Sequence, residues 1–288
     1  VLGDYDLDGD ADLFLSRWSS IKNISQRFLL NNEQGSYLES ERKTGIEQTG
    51  QDIFALFIDY DDNGYLDLFV ANAENNKLYK NLNTDEFNSV SLDLNTSSLI
   101  SNGLFRDFDL EGDLDFLLLS NSGNYFFRNN SDSTFTELGA KTGLGGTAFN
   151  GKDLVSADFD DDGDIDVFII GKNGDHKYFD NLRQGYFRNE NDRIRINRRI
   201  VPGALVAADY NNDGYIDIFI SDIRGEDHQL YQNNGRGFFQ LNTDWKSKLK
   251  NSKKIAGYDA SFFDYDNDGF LDILIAGKIK DTSKNSTG

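Results

Sequence analysis

One acidic motif occurs six times in this chain, at intervals of 48 to 55 residues. Each copy follows the pattern D-x-[DN]-x-[DNE]-G-x-x-D and lies between two short apolar runs, as in "FFDYDNDGFLDILIAG" at 262–277. The copies begin at Asp4, Asp59, Asp107, Asp158, Asp209 and Asp264. Repetition with a period near 50 residues is typical of propellers and solenoids, in which each unit buries its apolar face against the next. The chain must therefore fold into similar units placed side by side.

The residues around the motif predict β-strands. Apolar runs of four to six residues, rich in Ile, Val, Phe and Tyr and bounded by Asn, Gly and Asp, are strand signals. Each repeat has one such run before the motif and one after it, then a third at sequences such as "KLYKN" and a fourth at sequences such as "GYFRN". We therefore predict an all-β fold, a β-propeller of four-stranded antiparallel blades that forms a single domain over 1–288.

The repeat spacing also predicts where the blades begin and end. The predicted blades lie near 1–50, 51–98, 99–148, 149–200, 201–254 and 255–288. The first blade lacks most of its innermost strand, and the sixth is incomplete because it stops after its second strand near Gly277. We therefore expect six or seven blades in the full protein. Since Val1 stands only two residues ahead of a motif, we expect this chain to be a fragment of a longer one.

Composition excludes several classes of protein. The formal net charge is −20, but 23 Phe and 13 Tyr are more than a disordered acidic chain would carry. The absence of cysteine excludes disulfides, zinc ribbons and thiol catalysis. No apolar run approaches the roughly 20 residues that a membrane-spanning helix needs, so we predict no membrane insertion. The acidic residues must then have a specific place in a folded protein.

The motif has the chemistry of a calcium loop. Oxygen-bearing side chains stand at positions 1, 3, 5 and 9, glycine stands at position 6, and the residue at position 7 can offer its backbone carbonyl. This is the first half of the calcium loop of helix-loop-helix proteins, except that the last acid is at position 9 and a strand follows. Carboxylates this close repel one another, and a hard divalent cation removes the repulsion. Ca²⁺ accepts about six to eight oxygens in loose geometry, whereas Mg²⁺ demands a stricter octahedron.

We predict up to six Ca²⁺ ions, one in each acidic loop. The predicted ligands are Asp4, Asp6, Asp8, Asp10 and Asp12; Asp59, Asp61, Asn63, Tyr65 and Asp67; Asp107, Asp109, Glu111, Asp113 and Asp115; Asp158, Asp160, Asp162, Asp164 and Asp166; Asp209, Asn211, Asp213, Tyr215 and Asp217; and Asp264, Asp266, Asp268, Phe270 and Asp272. The alternative is that Asp-Gly and Asn-Gly only form hairpin turns, but a turn needs one such residue and not four. The fourth loop should bind most tightly, whereas Glu111 and Asn211 should weaken the third and fifth loops.

The chain also resembles a known family. "GDYDLDGDADLFLS" at 3–16 and "FFRNNSDSTFTELGAKTGLG" at 126–145 are similar to the FG-GAP and VCBS repeats of integrin-type propellers. They are most like the subgroup found in cartilage acidic protein and its bacterial relatives. This resemblance implies a six- or seven-bladed propeller with Ca²⁺ in the loop between the first and second strands of each blade. It also implies adhesion or ligand binding at the cell surface or in the extracellular space, after secretion, with the periplasm as another possible location.

Basic residues concentrate in the loops that propeller topology places opposite the acidic loops. These loops hold 23 of the 29 Lys and Arg but only 13 of the 49 acids. Two blade-to-blade loops supply the predicted partner-binding residues, which are Arg193, Arg195, Arg198, Arg199, Trp245, Lys246, Lys248 and Lys250. Arg forks beside an aromatic favour a protein or acidic glycan as partner, although long exposed loops can be basic without any partner. The acidic chain has no nucleic-acid reader motif, so we predict no nucleic-acid partner.

Catalysis is the competing class of function. The only two histidines, His176 and His228, follow the first aspartate of their loops by 18 and 19 residues, and two aligned histidines near acids could form a metal or acid–base site. Matching positions in a repeat are more simply explained by common ancestry of the repeats. We therefore predict no catalytic residues and no enzyme. The alternative function is a carbohydrate-binding (lectin) or polysaccharide-lyase-type propeller.

Overall fold

The computed structural model describes residues 1–279 except 20–23, 34, 40–43, 48, 74, 83–85, 91–95, 97, 146–148, 197–198 and 246–254. Strands make up nearly all of its regular structure. Within the described ranges, the helical elements are α1 (Gly139–Thr142) and a 3-10 turn at Asn191–Arg193. In that part of the chain, neither has the length and hydropathy of a segment that crosses a membrane.

The strands form six antiparallel sheets, which follow one another in chain order. Sheet 1 contains β1 (Leu2–Gly3), β2 (Asp12–Ser19), β3 (Ile24–Glu33), β4 (Ser36–Glu39) and β5 (Thr49–Gly50); sheet 2 contains β6 (Asp52–Ile58), β7 (Asp67–Asn72), β8 (Lys77–Asn81) and β9 (Phe87–Val90); and sheet 3 contains β10 (Ile100–Arg106), β11 (Asp115–Ser120), β12 (Gly123–Asn129) and β13 (Phe135–Glu137). Sheet 4 contains β14 (Gly151–Ala157), β15 (Asp166–Gly171), β16 (His176–Asn181) and β17 (Phe187–Asn189); sheet 5 contains β18 (Pro202–Ala208), β19 (Asp217–Asp222), β20 (Gln229–Asn233) and β21 (Phe239–Leu241); and sheet 6 contains β22 (Ile255–Phe263) and β23 (Asp272–Ile279).

Each sheet is a meander in which consecutive strands pair. Sheets 2 to 5 have four strands, sheet 1 adds β5 beside β3, and sheet 6 has two strands in the described residues. Every acidic motif joins the first strand of its sheet to the second, and its last aspartate is the first residue of that second strand. The predicted all-β fold of four-stranded antiparallel units is therefore confirmed.

The hydrophobic core lies between neighbouring sheets. The second strands β11, β15 and β19 are buried at every residue, which explains why their sequences are nearly continuous apolar runs. Aromatic rings join one sheet to the next. Phe69 of β7 meets Phe105 of β10 edge to face with ring centroids 5.5 Å apart, and Phe159 meets Phe239 in the same way at 5.5 Å.

The chain divides into two compact units, Val1–Lys141 with Gly145–Ala148 and Thr142–Leu144 with Phe149–Gly288. In the first unit, apolar clusters join sheet 1 to sheet 2 and sheet 2 to sheet 3. In the second, they join sheet 4 to sheet 5 and sheet 5 to sheet 6. In the second unit the first strands of sheets 5 and 6, β18 and β22, lie very close to each other. A Cβ on Gly203 of β18 would stand 1.8 Å from the carbonyl oxygen of Gly257 in β22. Only glycine fits there.

Candidate metal loops

All six acidic loops share one backbone conformation. The residue at position 4 has a φ between 53° and 62°, and the glycine at position 6 has a φ between 86° and 96°. Two left-handed residues so close together turn the chain sharply, and at position 6 the conformation favours glycine because a Cβ there would be strained. In the fourth loop these two residues are Asp161 and Gly163. The pattern explains why glycine recurs at position 6 in every copy.

The position-1 aspartate is fixed by the same two backbone groups in each loop. In the fourth loop, Asp158 Oδ1 accepts a hydrogen bond from the N–H of Asp162 at 3.1 Å, and Oδ2 accepts one from the N–H of Gly163 at 2.9 Å. The other five loops repeat both bonds at 2.8 to 3.2 Å. In five loops the position-5 side chain also accepts the N–H of position 7. The carboxylates are therefore held in place by the backbone of the loop itself.

The position-9 aspartate is buried. It is fully enclosed in the first five loops, at Asp12, Asp67, Asp115, Asp166 and Asp217. Burial raises the pKa of Asp12 to about 6 and the pKa of each of the other four to about 7, although backbone N–H donors act in the opposite direction. A charged carboxylate is thus unfavourable at these five places unless a cation stands beside it.

Several loop oxygens have no hydrogen-bond partner among the described residues. Of the seven buried side-chain atoms without a hydrogen bond in the described part of the chain, four are loop carboxylate oxygens. They are Asp61 Oδ1, Asp113 Oδ1, Asp160 Oδ1 and Asp217 Oδ2. A buried oxygen that lacks a donor is costly, and it is the group that a cation would satisfy.

The second oxygen of three of these aspartates is held by another side chain. Asp61 Oδ2 pairs with Lys80, and Asp113 Oδ2 accepts a hydrogen bond from the Ser131 hydroxyl. Asp160 Oδ2 accepts one from Arg193 Nη1 at 2.9 Å. In the first loop, Asn31 Nδ2 similarly donates to Asp6 Oδ2 at 2.5 Å. Each such contact orients the carboxylate, as hydrogen-bond partners of metal ligands do.

Carboxylates of the first four loops come close together in space. Groups of three offer oxygens that all lie within 4.8 Å of one another, namely Asp4, Asp6 and Asp8; Asp59, Asp61 and Asp67; Asp109, Asp113 and Asp115; Asp158, Asp160 and Asp162; and Asp160, Asp166 and Asp180. The donors are all oxygens, which suits a hard cation such as Ca²⁺. The residues present therefore fit the group that sequence analysis predicts.

A third-strand asparagine that the motif did not predict ties each of the first five loops to the rest of its sheet. In β20 the N–H of Asn233 donates to Asp217 Oδ1 at 2.7 Å, and Asn233 Nδ2 donates to the carbonyls of Phe159 at 2.7 Å and Ile216 at 3.1 Å. Phe159 belongs to the acidic loop of the preceding sheet. Asn81 and Asn129 make the equivalent bonds in the first unit. The signal was present, because an Asn recurs at the end of the third predicted strand in each of the first five repeats.

Arg193 lies against an acidic loop and not among the loops opposite it. Its Nη2 is 3.4 Å from Asp180 Oδ2, in addition to the bond from Nη1 to Asp160. Its guanidinium also lies 5.4 Å from the ring centroid of Tyr178. Asp180 is the carboxylate that distinguishes the fourth loop, since the equivalent third-strand residue is Asn31 in sheet 1 and Lys80 in sheet 2. The arginine offsets this extra negative charge.

The other predicted partner-binding residues differ in where the structure places them. Trp245 is 9% exposed and packs edge to face on Phe219 at 5.5 Å, so it belongs to the core between sheets 5 and 6 and not to a surface. The sequence did not reveal this, because the basic residues that follow Trp245 suggested an exposed loop. Arg195 and Arg199 are exposed. The remaining four, Arg198, Lys246, Lys248 and Lys250, lie outside the described residues.

Both histidines lie at or next to the start of a third strand and contact a backbone carbonyl beyond their own sheet, His176 in the link after sheet 4 and His228 at the first residue of β22. His176 Nε2 lies 3.1 Å from the carbonyl oxygen of Ile194, and His228 Nε2 lies 3.0 Å from that of Ile255. His228 Nδ1 accepts the N–H of Asp222 at 2.9 Å, which assigns the proton of the neutral ring to Nε2. Hydrogen bonds to backbone therefore use both ring nitrogens of His228 and Nε2 of His176.

Repeated four-stranded sheets with an acidic loop between the first and second strands define a repeat protein with a propeller-like fold. The FG-GAP-like repeat model matches residues 59–118, 107–169, 158–220 and 209–275. The matches span well over half of the chain, which therefore belongs to the FG-GAP-like repeat family. The resemblance predicted from the sequence is confirmed.

Curated relatives and a solved structure agree with this assignment. Cartilage acidic protein 1 of Xenopus tropicalis is 26% identical over 172 residues, which are 54% of this chain and 25% of the relative. The human protein is 29% identical over 107 residues, 36% of this chain and 16% of the relative. The match thus spans a quarter or less of these relatives. An Agrocybe aegerita lectin that recognises non-reducing terminal N-acetylglucosamine has a TM-score of 0.58 at 16% identity, over 95% of this chain and 73% of the lectin, a likeness of fold.

Proposed function

We propose that this chain is a Ca²⁺-binding module that acts at the cell surface or in the extracellular space, where it binds a protein or an acidic glycan. The observation that supports Ca²⁺ most directly is the set of buried loop oxygens without a partner at Asp61, Asp113, Asp160 and Asp217. A hairpin turn explains the backbone bonds of the loops. It does not explain why each of four loops holds a buried carboxylate oxygen that is left unsatisfied.

In this proposal the metal has a structural role. Bound Ca²⁺ would supply positive charge and coordination to oxygens that the fold already holds. The chain itself orients position 1 through two backbone N–H groups, orients position 9 through the third-strand asparagine, and joins that asparagine to the preceding sheet. Metal binding would therefore stabilise a loop and the contact between two sheets at once.

The exposure of the loops favours an extracellular location. Position 9 is enclosed in the first five loops and exposed at Asp272 in the sixth, and positions 4 to 6 of the loops are largely exposed. Such open sites resemble the weaker class of calcium site, with dissociation constants of about 10⁻⁴ to 10⁻³ M, which extracellular modules use. Sites of that strength fill where Ca²⁺ is abundant, outside the cell.

Binding of an acidic partner is supported by exposed cations away from the acidic loops. Lys172, Arg199 and Arg224 line a groove of about 780 Å³ together with Glu226 and Asp227. We propose binding and not catalysis, because the two histidines act as hydrogen-bonding groups toward the backbone. The competing proposal, a carbohydrate-binding or lyase-type propeller, is supported by a second groove, whose lining includes Arg195 and Phe238.

Two neighbouring aspartates of the second loop give a matched test. Asp61 is a proposed ligand, whereas Asp62 is an exposed residue at position 4, with a φ of 53°. Asn212 and Asn267 occupy position 4 in other loops, so Asp62→Asn suits the conformation. Both substitutions remove one negative charge. Asp61→Asn should reduce the rise in melting temperature that Ca²⁺ produces and remove about one ion from the stoichiometry measured by isothermal titration calorimetry, while Asp62→Asn should leave both unchanged.

The wild-type protein supplies the more general result. A thermal transition that is the same in EDTA and in millimolar Ca²⁺ would contradict the proposal and leave the motifs as turns. Mg²⁺ at the same concentration controls for ionic strength and should stabilise the protein less, because the loops are not strict octahedra. Equal effects of Asp61→Asn and Asp62→Asn would show that the effect is one of net charge and not of coordination.

A further inference from the structure

A groove of about 600 Å³ lies where the link after sheet 4 meets the outer strands of sheet 5. Its walls come from the segment that contains Arg193 and Arg195, and from β20, β21 and the turn that joins them. The volume lies within the range of roughly 300 to 1,000 Å³ that is usual for small-ligand pockets. The six loop sites do not include this groove, so it needs a separate explanation.

An aromatic ring forms one wall of the groove. Phe238 is 52% exposed, although the next residue, Phe239, is buried in the core. The Arg193 guanidinium lies 5.8 Å from the Phe238 ring centroid and is itself held by Asp160. Phe238 therefore stands at the surface against a fixed neighbour. An ordered and exposed ring offers an apolar surface on which a flat ligand, such as a pyranose ring, can pack.

The other walls carry planar polar groups. Gln232 and Gln240 have no side-chain hydrogen-bond partner among the described residues, and Asn234 uses its Oδ1 to hold the turn, at 3.0 Å from the N–H of Arg236. Primary amides present a donor and an acceptor side by side. This pairing matches sugar hydroxyls, each of which both donates and accepts. The three amides and the ring together favour a saccharide over a purely apolar ligand.

The charged residues of the groove favour a saccharide that carries a carboxylate over a neutral one. Arg195 is exposed and has no ion-pair partner in the described part of the chain, whereas Arg193, behind Phe238, is paired with Asp160 and Asp180. Asp192 is the acidic residue of the lining and carries a single negative charge. An unpaired guanidinium presents a donor fork that fits a carboxylate with two parallel hydrogen bonds.

We infer that this groove binds the end of an acidic oligosaccharide, with a sugar ring packed on Phe238, its hydroxyls on Gln232, Asn234 and Gln240, and its carboxylate on Arg195. The inference rests on the proposed function, because it assigns a place and a chemical class to the ligand of the module. A neutral glycan, a sulfated glycan and an acidic peptide along the exposed edge of β21 are the competing occupants.

The test uses uronic-acid tetrasaccharides and their carboxyl-reduced counterparts, titrated by calorimetry into the Ca²⁺-loaded wild-type chain. We expect the acidic form to bind at least tenfold more tightly than the reduced form. Phe238→Ala should weaken both forms by at least tenfold. Arg195→Gln should weaken only the acidic form, so that it abolishes the difference between the two. Arg236→Gln removes one positive charge outside the groove and should change neither.

Other results would overturn the inference. These are the absence of uronate binding at millimolar concentration, equal affinity for the acidic and reduced forms, tighter binding of a sulfated neutral tetrasaccharide or an acidic peptide, and an equal loss in Arg236→Gln. The thermal shift caused by Ca²⁺ separates this failure from failure of the proposed function. If Phe238→Ala and Arg195→Gln keep that shift but uronates do not bind, the groove assignment is wrong and the metal proposal stands. If wild type shows no such shift, the metal proposal fails by itself.

Discussion

At the scale of single residues, the position-3 aspartate of the second and fourth loops has one carboxylate oxygen paired with a side-chain cation and the other oxygen without a partner among the described residues. Lys80 and Arg193 each occupy one oxygen of such a carboxylate, at Asp61 and Asp160, and leave the other oxygen without a partner. A side-chain cation in this place has two effects. It orients the ligand, and it supplies part of the positive charge that a metal ion would otherwise supply. Arg193 should therefore matter most when metal is absent.

Replacing Arg193 by methionine tests this dual role. Without metal, Arg193→Met leaves Asp160, Asp166 and Asp180 close together with only the half-exposed Arg188 beside Asp180, and should destabilise the protein by about 3 kcal/mol, as expected when a largely buried ion pair loses one partner. Ca²⁺ would offset much of this loss. The rise in melting temperature on adding Ca²⁺ should therefore be larger in Arg193→Met than in wild type. Differential scanning fluorimetry in EDTA and in Ca²⁺ measures it.

Arg188→Met is the control for that experiment. Arg188 also pairs with Asp180, at 2.7 Å, but from a side chain that is 54% exposed. Exposed ion pairs contribute little, so both melting temperatures should stay near those of wild type. A smaller Ca²⁺-dependent shift in Arg193→Met than in wild type would mean that Arg193 serves only to position the ligand and does not stand in for the ion.

At the scale of elements, the acidic loop and the third strand act as one unit. The asparagine that ends the third strand donates its N–H to the position-9 aspartate of its own sheet and its side-chain N–H groups to two carbonyls. One of those carbonyls belongs to the loop of the preceding sheet in the pairs formed by Asn81, Asn129 and Asn233. The repeated asparagine therefore links every such loop to its neighbour.

Asn233→Ala should be strongly destabilising for this reason. Asn233 is 5% exposed, and its removal leaves the carbonyls of Phe159 and Ile216 buried without these donors. Each unsatisfied group costs about 1 to 3 kcal/mol, so we expect a loss of at least about 2 kcal/mol. Gln232→Ala, one residue away and without a side-chain partner among the described residues, should cost little. Urea denaturation of both variants measures the difference, and equal losses would contradict the link between sheets.

The sequence predicts the elements well because repetition makes each signal visible six times. The strand runs, Gly163 and its equivalents, and the convergence of the carboxylates all follow from spacing and residue type. Arg193 could not be placed in this way, since its partner Asp160 is 33 residues away and no other repeat has the pair. The basic neighbours of Trp245 led to the prediction that it lies at the surface. In the structure its ring packs in the core between sheets 5 and 6. Contacts that occur once leave no periodic signal.

At the scale of the whole molecule, net charge and metal are linked. Positions 1, 3, 5 and 9 of the six loops hold 22 carboxylates, which are a large share of the 49 acids. Six bound Ca²⁺ ions would change the formal net charge from −20 to −8. The metal-free and metal-loaded proteins should therefore respond to pH in different ways, because protons and Ca²⁺ would neutralise the same groups.

The expected pH dependence changes sign with metal. Burial raises the pKa of Asp67, Asp115, Asp166 and Asp217 to about 7 in the metal-free fold, against an ordinary value of 3.8. The folded state then binds more protons than the unfolded state, so this contribution is complete below about pH 4 and is lost as the pH rises through 7. In chelator, the melting temperature should rise from pH 8 to pH 5.5.

With saturating Ca²⁺ the melting temperature should instead fall as the pH is lowered from 8 to 5.5. Ca²⁺ needs the charged carboxylates, so protonation competes with it and lowers the melting temperature as the pH falls. Asp166→Asn tests the assignment, because this variant keeps the buried shape but cannot titrate, and its melting curve in chelator should depend less on pH than that of wild type. Asp161→Asn, an exposed aspartate in the same loop, is the matched control and should keep the wild-type dependence. Parallel pH profiles in chelator and in Ca²⁺ would mean that the loops do not exchange protons for metal, and the calcium proposal would lose its physical basis.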